Sequence, residues 1–417
     1  MNQYDLAVIG GGASGLAAAA AAASLGDSVI ILEGSNAVGK KILVSGNGRC
    51  NLMNAGKPRY YGNALFAGQV LQYCGKNEQT VFWQDLGLLL SKEDSDGRIY
   101  PCTYQSASVL DALKTYLRIK HVHISLNSPV RECCKTADCR FCIRTNDQYI
   151  TADRILVATG SPAGQKASSA CDGYTVLEKF GHEIHPIRPA LVPLYTDHKS
   201  ISGLAGIRSR CFVALKDNDN NILHTERGEV LFTETGVSGI CIMQCARFIR
   251  ENIAIELDLV DRIFNNDSEF EEELIRRRKV FAELSPAEML KGILPAKLSF
   301  AVVKQAGIPI KGNTLKDIGP VMLRTIIYTA RHYRISVTGS RGIEDAQVCA
   351  GGADCSLFSS ENMESKLEKG LYASGEVLDI DGDCGGFNLM FAFGSGILAG
   401  VNGRTSPYTT FRREKTI

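Results

Sequence analysis

The chain opens with apolar and small-residue runs of distinct length. Tyr4-Asp5-Leu6-Ala7-Val8-Ile9 is an apolar run of strand length. It breaks at Gly10-Gly11-Gly12-Ala13-Ser14-Gly15, and residues 16–25 then form an alanine-dominated run of helix length. A second apolar run, Ser28-Val29-Ile30-Ile31-Leu32, ends at Glu33. Similar runs return far downstream. Arg154-Ile155-Leu156-Val157 precedes Ala158-Thr159-Gly160, and Leu371-Tyr372-Ala373-Ser374-Gly375 ends at Glu376. A helix is expected over about 389–400. Between these, Val130-Arg131-Glu132-Cys133-Cys134 and Cys139-Arg140-Phe141-Cys142-Ile143 read as two strands around a turn at Ala137-Asp138. Within 190–345 the pattern predicts strands at 191–195, 211–215 and 228–232 and a hairpin turn at 217–221. It also predicts helices over 269–283 and about 320–331.

The first three elements form a strand–glycine-turn–helix–strand unit. Gly10, Gly12 and Gly15 fit Gly-x-Gly-x-x-Gly. Gly10 permits the tight turn, Gly12 lets backbone approach a pyrophosphate, and Gly15 lets the helix pack close to the sheet. The helix N-terminus supplies free N–H groups for phosphate. Glu33, eighteen residues after Gly15, stands where an acid accepts hydrogen bonds from both ribose hydroxyls. A free 2′-hydroxyl suits FAD or NAD, and a 2′-phosphate would be repelled.

Composition narrows the field. Forty-six Lys and Arg against 45 Asp and Glu leave a net charge of +1, which is not the footprint of a nucleic-acid binder. A hydrophobic fraction of 45% excludes a disordered chain. Residues 16–25 are too short and weakly apolar to span a bilayer, and the start has no basic leader region, so a cytoplasmic location without membrane partners is expected. The 14 cysteines are therefore expected to be free thiols. The Cys139-x-x-Cys142 pair invites a zinc reading. On a strand its members point to opposite faces, and no second pair follows, so no metal is expected. Cys241 and Cys245 lie one turn apart on an expected helix. Arg276-Arg277-Arg278-Lys279 reads as a solvated helix face.

After Glu33 the chain abandons regular βαβ repetition. Gly39-Lys40-Lys41-Ile42-Leu43-Val44-Ser45-Gly46-Asn47-Gly48-Arg49-Cys50-Asn51 is a short apolar segment and then a polar, glycine-rich loop. With the strand at 154–157 and the late strand–helix unit, this favours FAD over NAD alone. FAD bends across the sheet, and a distant helix N-terminus can stabilise charge at the flavin.

Here the chain resembles the bacterial NAD(P)/FAD-dependent oxidoreductases. The carrying motifs are Gly10 to Gly15, Lys41 to Asn51, and Gly370 to Asn388, with further matches at Gly228 to Gly239 and Val337 to Gly342. That family includes flavoproteins linked to bile-acid 7-dehydroxylation, and other members are labelled aminoacetone oxidases. The resemblance implies an α/β fold. A Rossmann-like FAD-binding domain would be built from residues 1–190 and 346–417. It would be interrupted by a β-rich substrate or cap domain at 191–345, with a helical part at about 262–332. It implies FAD contacts from Gly10, Gly12, Ala13, Ser14, Gly15, Glu33, Lys40, Lys41, Gly48, Arg49, Cys50, Asn51, Ala158, Thr159, Gly160, Gly375, Glu376, Gly386, Phe387 and Asn388. Val130 would meet adenine through its backbone. Two departures stand out. The usual Ala-Thr-Gly-Gly is Ala158-Thr159-Gly160-Ser161, and the helix after Asn388 reads Leu389-Met390-Phe391-Ala392-Phe393, without tryptophan.

The leading chemistry is reduction of an activated carbon–carbon double bond in a small molecule, with hydride delivered from flavin N5 and NADH or NADPH as donor. The family suggests 3-oxo bile-acid or steroid-like enones. Arg49 is the candidate catalytic group, stabilising negative charge on reduced flavin or an enolate, or else binding FAD itself. Alternatives are an oxygen-using amine or aminoketone oxidase, a flavin-bearing sensor without turnover, and thiol redox chemistry at Cys50.

Overall fold

The computed structural model describes residues 2–57, 59–92, 96–164 and 173–410. They form two compact units, one of Met1–Arg188 with Val348–Ile417 and one of Pro189–Gln347.

The first unit is built on a mainly parallel sheet. Its strands run in the order His123–Ser125, Val29–Leu32, Asn2–Ile9, Tyr149–Val157. One edge of Tyr149–Val157 is shared. Its beginning pairs antiparallel with Phe141–Arg144, and its end pairs parallel with Leu371–Ala373. Phe141–Arg144 pairs in turn with Glu132–Lys135, giving the expected meander. Cys139 is a correction. It lies in the turn with φ 62°, ahead of the strand, so alternation along a strand does not apply to it. Cys134 instead faces Cys142 across the hairpin.

The continuous apolar runs are explained by burial on both sides: residues 6–9 and 29–32 are almost wholly inaccessible. The alanine helix, Ala13–Ser24, covers one face. Against it lies Phe387–Val401, buried from Met390 onward. Their contact is backbone on backbone. A Cβ at Gly396 would sit 2.2 Å from Ser14 O, and one at Gly400 would sit 2.3 Å from Ala18 O. Only glycine on one helix and small residues on the other allow this approach.

The second unit is a closed six-stranded barrel. In order around it run Leu194–Thr196, Gly236–Ser238, Ile222–Phe232, Arg208–Lys216, Ala254–Asp258 and Tyr333–Ser340. Closure leaves no open sheet edge. The hairpin turn is held by Asp217, whose Oδ1 accepts from the N–H groups of Asp219 at 2.9 Å and Asn221 at 2.8 Å. The strand expected over 191–195 begins only at Leu194, because Leu191 turns the chain with φ 51°. Between the last two barrel strands the chain forms the helices Asp267–Val280, Ala296–Gln305 and Pro320–Arg331. No helix among the described residues is long and apolar enough to cross a membrane.

The helix contact makes a prediction. Gly396→Ala should cost about 1–3 kcal/mol through overpacking, lowering the thermal midpoint. Gly68→Ala, in the helix Ala64–Tyr73 with nothing within 4 Å of its Cβ position, should be neutral or stabilising. Equal midpoints for the two variants in calorimetry would contradict the close-contact account.

Candidate functional site

Strand register assembles the site. Leu32 and Val157 both pair with Ile9, and Ala373 pairs with Val157, so four parallel strands finish in one row. Glu33, Gly10, Ala158 and Ser374 follow that row. Segments more than 300 residues apart are thereby brought to one sheet edge. In open α/β sheets the carboxyl ends of the strands are where ligands bind.

The three motif glycines are glycine for different reasons. A Cβ on Gly10 would lie 2.5 Å from Ala158 O, and φ there is +107°. A Cβ on Gly15 would lie 2.0 Å from Gly10 O. Both are required by the protein's own packing. Gly12 is not. Its Cβ position has nothing nearer than Ala158 O at 3.9 Å, and φ is −81°. The space in front of Gly12 is a cradle that a side chain would fill. Gly12 also caps the alanine helix without any side-chain hydrogen bond. Leu16 N–H is bonded to Gly12 O at 3.0 Å, so the N–H groups of Ala13, Ser14 and Gly15 have no intrahelical carbonyl. That is the donor set a pyrophosphate requires.

Glu33 stands at the end of its strand. Its Oε2 accepts from Gly11 N–H at 2.8 Å, and its Oε1 accepts from the Ser35 N–H at 2.8 Å and hydroxyl at 2.7 Å. A carboxylate has about four acceptor positions. One remains, on Oε2, so a pair of ribose hydroxyls would share it or displace the Ser35 hydroxyl. Ser35 is a partner the motif alone did not indicate. Val130 is buried beside this point, where Ser128 N–H donates to Glu33 O at 2.8 Å.

Lys40 and Lys41 open the short helix Lys40–Val44, and both are exposed. Lys41 Nζ donates to Glu376 Oε2 at 2.7 Å, and the Ser161 hydroxyl donates to the same oxygen at 3.0 Å. The departure at Ser161 is therefore structural: its hydroxyl ties the end of Tyr149–Val157 to the segment after Leu371–Ala373. Thr159 packs against Gly173, and Gly160 adopts φ +72°. Residues 165–172, in the loop that follows Ser161, lie outside the described residues. Gly375 is locked by its N–H donating to the Ser395 hydroxyl at 3.0 Å and by close approach to the Ser14 side chain.

The loop at 45–51 is left-handed over much of its length. Gly46, Asn47, Gly48 and Cys50 have φ of 55°, 55°, 80° and 56°. Non-glycine residues rarely adopt this conformation, and such strain concentrates at functional sites. Arg49 is exposed, its guanidinium 5.0 Å from the Tyr100 ring centroid. Cys50 is fully buried, and burial pushes its thiol up to about 11. Burial disfavours the thiolate, which argues against thiol redox at this position. Asn51 Oδ1 is buried and has no hydrogen-bond partner among the described residues, an acceptor matched to a bound donor.

Gly386 caps the second helix with φ +103°, without a side-chain hydrogen bond, and a Cβ there would strike Met53 O at 2.6 Å. Phe387 follows, its carbonyl accepting from the Tyr60 hydroxyl at 2.9 Å. The Asn388 carboxamide is already committed. Its Oδ1 accepts from Gly382 N–H at 2.7 Å and its Nδ2 donates to Gly382 O at 2.8 Å. It braces the helix start, and its side chain is spent on that. Sequence reasoning missed Tyr60 and Asn54. Asn54 Nδ2 donates to Gly385 O at 2.8 Å. Neither lies in a glycine motif, and their only signal was a short polar stretch opposite 380–385.

Two uncapped helix N-termini, an acidic ribose acceptor, an open cradle at Gly12 and an unpaired buried acceptor at Asn51 all fit FAD. Residues 4–402 match the family described as HI0933-like protein Rossmann domain. The chain belongs to this family. As an HI0933-like protein it is an FAD-dependent oxidoreductase with a Rossmann-like FAD-binding domain. It is 35% identical to a 3-dehydro-bile acid delta(4,6)-reductase of Clostridium scindens, over 95% of this chain and 98% of the relative. It is 29% identical to a ribosomal RNA dihydrouridine synthase of Haemophilus influenzae, over 95% and 97%. A crystal structure of 3-ketosteroid delta1-dehydrogenase from Sterolibacterium denitrificans superposes with a TM-score of 0.50 at 12% identity, covering 96% of this chain and 99% of that one. That likeness is one of fold.

The cradle predicts a separable defect. Gly12→Ala should fold with an unchanged thermal midpoint when FAD is absent, because its methyl meets only Ala158 O, at an ordinary contact distance of 3.9 Å. It should retain at least tenfold less FAD, read from the flavin-to-protein absorbance ratio after dialysis. Full flavin retention would show that nothing approaches Gly12. In the native holoprotein, Cys134 and Cys139, both exposed, should alkylate well before Cys50, as peptide mapping would reveal.

Proposed function

We propose that this HI0933-like protein reduces a carbon–carbon double bond conjugated to a carbonyl, using NADH or NADPH. The observation that carries this reading is shared by the two relatives. One is named for reducing the 4,6 unsaturation of a 3-dehydro bile acid, and the other for making dihydrouridine. In both cases the bond lost is polarised by a carbonyl, so hydride adds to the far carbon and a proton to the near one. FAD, when bound, carries the hydride from the nicotinamide to that carbon. The nicotinamide is oxidised by two electrons and the substrate gains them.

The chain's own residues supply binding and charge. The N-termini of Ala13–Ser24 and Phe387–Val401 offer uncapped N–H groups at one sheet edge. The Lys41–Glu376–Ser161 cluster fixes that edge. Arg49 is the proposed group for negative charge that develops during reduction. Residues 191–345 take the role of the substrate domain in this reading. A small-molecule enone and a pyrimidine base satisfy the chemistry equally.

Anaerobic stopped-flow absorbance tests it. NADH or NADPH should bleach the flavin band near ~450 nm, and an enone bile acid or a uridine-containing RNA should restore it faster than air. Silence with both nicotinamides would sink the proposal. Fast recovery in air with peroxide release would support the amine-oxidase alternative. Arg49→Ala should keep its yellow colour and bleach about tenfold or more slowly. Loss of FAD instead would assign Arg49 to cofactor binding.

A further inference from the structure

Burial argues against thiol chemistry at Cys50, but the outer hairpin places its sulfurs differently. Strand register sets Cys134 of Glu132–Lys135 directly opposite Cys142 of Phe141–Arg144. Both are free thiols. Cys134 is exposed and Cys142 half-buried, on the face away from Cys133 and Ile143, which are buried. The Cys134 thiol donates to Cys142 O at 3.8 Å. Burial raises the Cys142 thiol, and the Cys134 sulfur beside it raises it further, through charge and through a hydrogen bond between the two side chains.

Directly opposed residues of an antiparallel pair have Cα atoms roughly 4.5–5.5 Å apart and side chains on one face. A disulfide takes roughly 4.4–6.8 Å between Cα atoms, so closing this one needs rotation of two side chains and no shift of backbone. The hairpin is fixed on both sides of the pair. Thr136 N–H donates to Arg140 O at 2.8 Å toward the turn, and Arg131 N–H donates to Arg144 O at 2.8 Å at the open end. On the other face Phe141 is fully buried. Lys135 Nζ stands 4.8 Å from its ring centroid and donates to Lys369 O at 2.7 Å. The register cannot slip and carry the sulfurs apart. Cys139, the other member of Cys139-x-x-Cys142, sits in the turn and opposes neither strand. The nearby guanidiniums are engaged, Arg144 with Glu132 and Arg140 with Asp138. No group of three His, Cys, Asp or Glu suited to a metal ion occurs among the described residues, so the pair is a dithiol and not part of a metal site.

We propose that Cys134 and Cys142 are a redox site, which hydrogen peroxide oxidises to a cross-strand disulfide and a thiol reductant reopens. Cys134 is the more exposed sulfur and attacks first. An S–O bond forms, the peroxide O–O bond breaks, and the departing hydroxide leaves as water with the proton of that thiol. Cys142 then attacks the sulfenic sulfur. The S–S bond forms, the S–O bond breaks, and the second hydroxide takes the Cys142 proton and leaves as water. The two sulfurs together lose two electrons, and the two peroxide oxygens gain them. Reduced flavin that meets oxygen releases peroxide, so a flavoprotein generates this oxidant itself. Exposed disulfides are the labile, regulatory kind. The site needs neither nicotinamide nor substrate, so it stands or falls apart from the proposed reduction.

The test uses holoprotein with oxidised flavin, reduced with dithiothreitol, desalted without oxygen and given a small molar excess of hydrogen peroxide. Remaining thiols are blocked with N-ethylmaleimide, and the protein is cut with trypsin without reductant. Wild type should run as a single chain and yield residues 132–135 joined to residues 141–144, and dithiothreitol should separate them. Cys139→Ser should yield the same joined peptide. Cys142→Ser should leave a sulfenic acid on Cys134, so that dimedone labels Cys134 about tenfold or more above wild type, as located by fragment spectra. Both variants should keep their yellow colour and thermal midpoint. The redox site is overturned if wild type yields no joined peptide, if Cys134 is joined to Cys139 in residues 136–140 instead, or if the link joins two chains. Sulfinic acid on Cys134 of wild type in place of the joined peptide, or a link that survives dithiothreitol, would overturn it as well.

Discussion

The site depends on how closely two helices approach. Ala13–Ser24 and Phe387–Val401 meet through Ser14, Ala18, Gly396 and Gly400 with no side chain between their backbones. Each alanine buries little apolar area, so the contact works by proximity: many atom pairs reach dispersion distance that a leucine interface would hold apart. The glycines lose backbone entropy on folding, and the gain is position. One helix begins at Gly12 and the other at Gly386. Because their axes are locked, their uncapped ends are locked as well. Phosphate binding at one end and charge stabilisation at the other become properties of one packed body.

A second set of contacts ties the strand ends to those helices. Glu376 accepts from both Lys41 and Ser161, joining segments from three parts of the chain. Ser14, Ser374, Gly375 and Ser395 form a buried polar seam at the same level, where Ser14 Oγ donates to Ser374 O at 3.3 Å. Against this rigid edge the 45–51 loop stores strain at Asn47 and Cys50. Strained backbone persists only where its surroundings over-determine it, and the buried Cys50 side chain provides the anchor. Its thiol is better understood as an apolar plug than as a reagent, given how far burial raises it.

The apolar runs made the parallel strands readable, because strands buried on both faces show little alternation. Pro320–Arg331 was readable for another reason: proline at its first turn and a basic last turn punctuate an amphipathic run. The barrel was less so. Leu194–Thr196 and Gly236–Ser238 are three residues each, and their pairing is non-local, so no window of sequence contains the evidence for them. At the site, the glycine motif announced a phosphate loop. It assigned Gly10 and Gly15 to the protein's own turn and packing and Gly12 to a phosphate, but it could not give the clearances of 2.5, 2.0 and 3.9 Å that separate the three. Nor could it foresee Ser35 on Glu33, or Gly382 claiming both ends of the Asn388 amide. Those are competitions among polar groups, decided only once the backbone brings the competitors together.

Charge shows the same limit from the other side. A sum over the chain assumes that sign is well mixed, and folding need not mix it. Asp267–Val280 places acids in its first turn and cations in its last, where the helix dipole favours each, and Glu273 binds both Arg276 and Arg277. Asp267 reaches out of that helix to Arg331, so part of its charge is answered elsewhere. Residues 291–334 carry eight cations and one acid, and Lys291 and Lys316 are answered by Glu288 and Glu283 just ahead of that stretch. Sign that is separated along the sequence is partly remixed by the fold, so neither the total nor a window of sequence gives the field at a particular side chain.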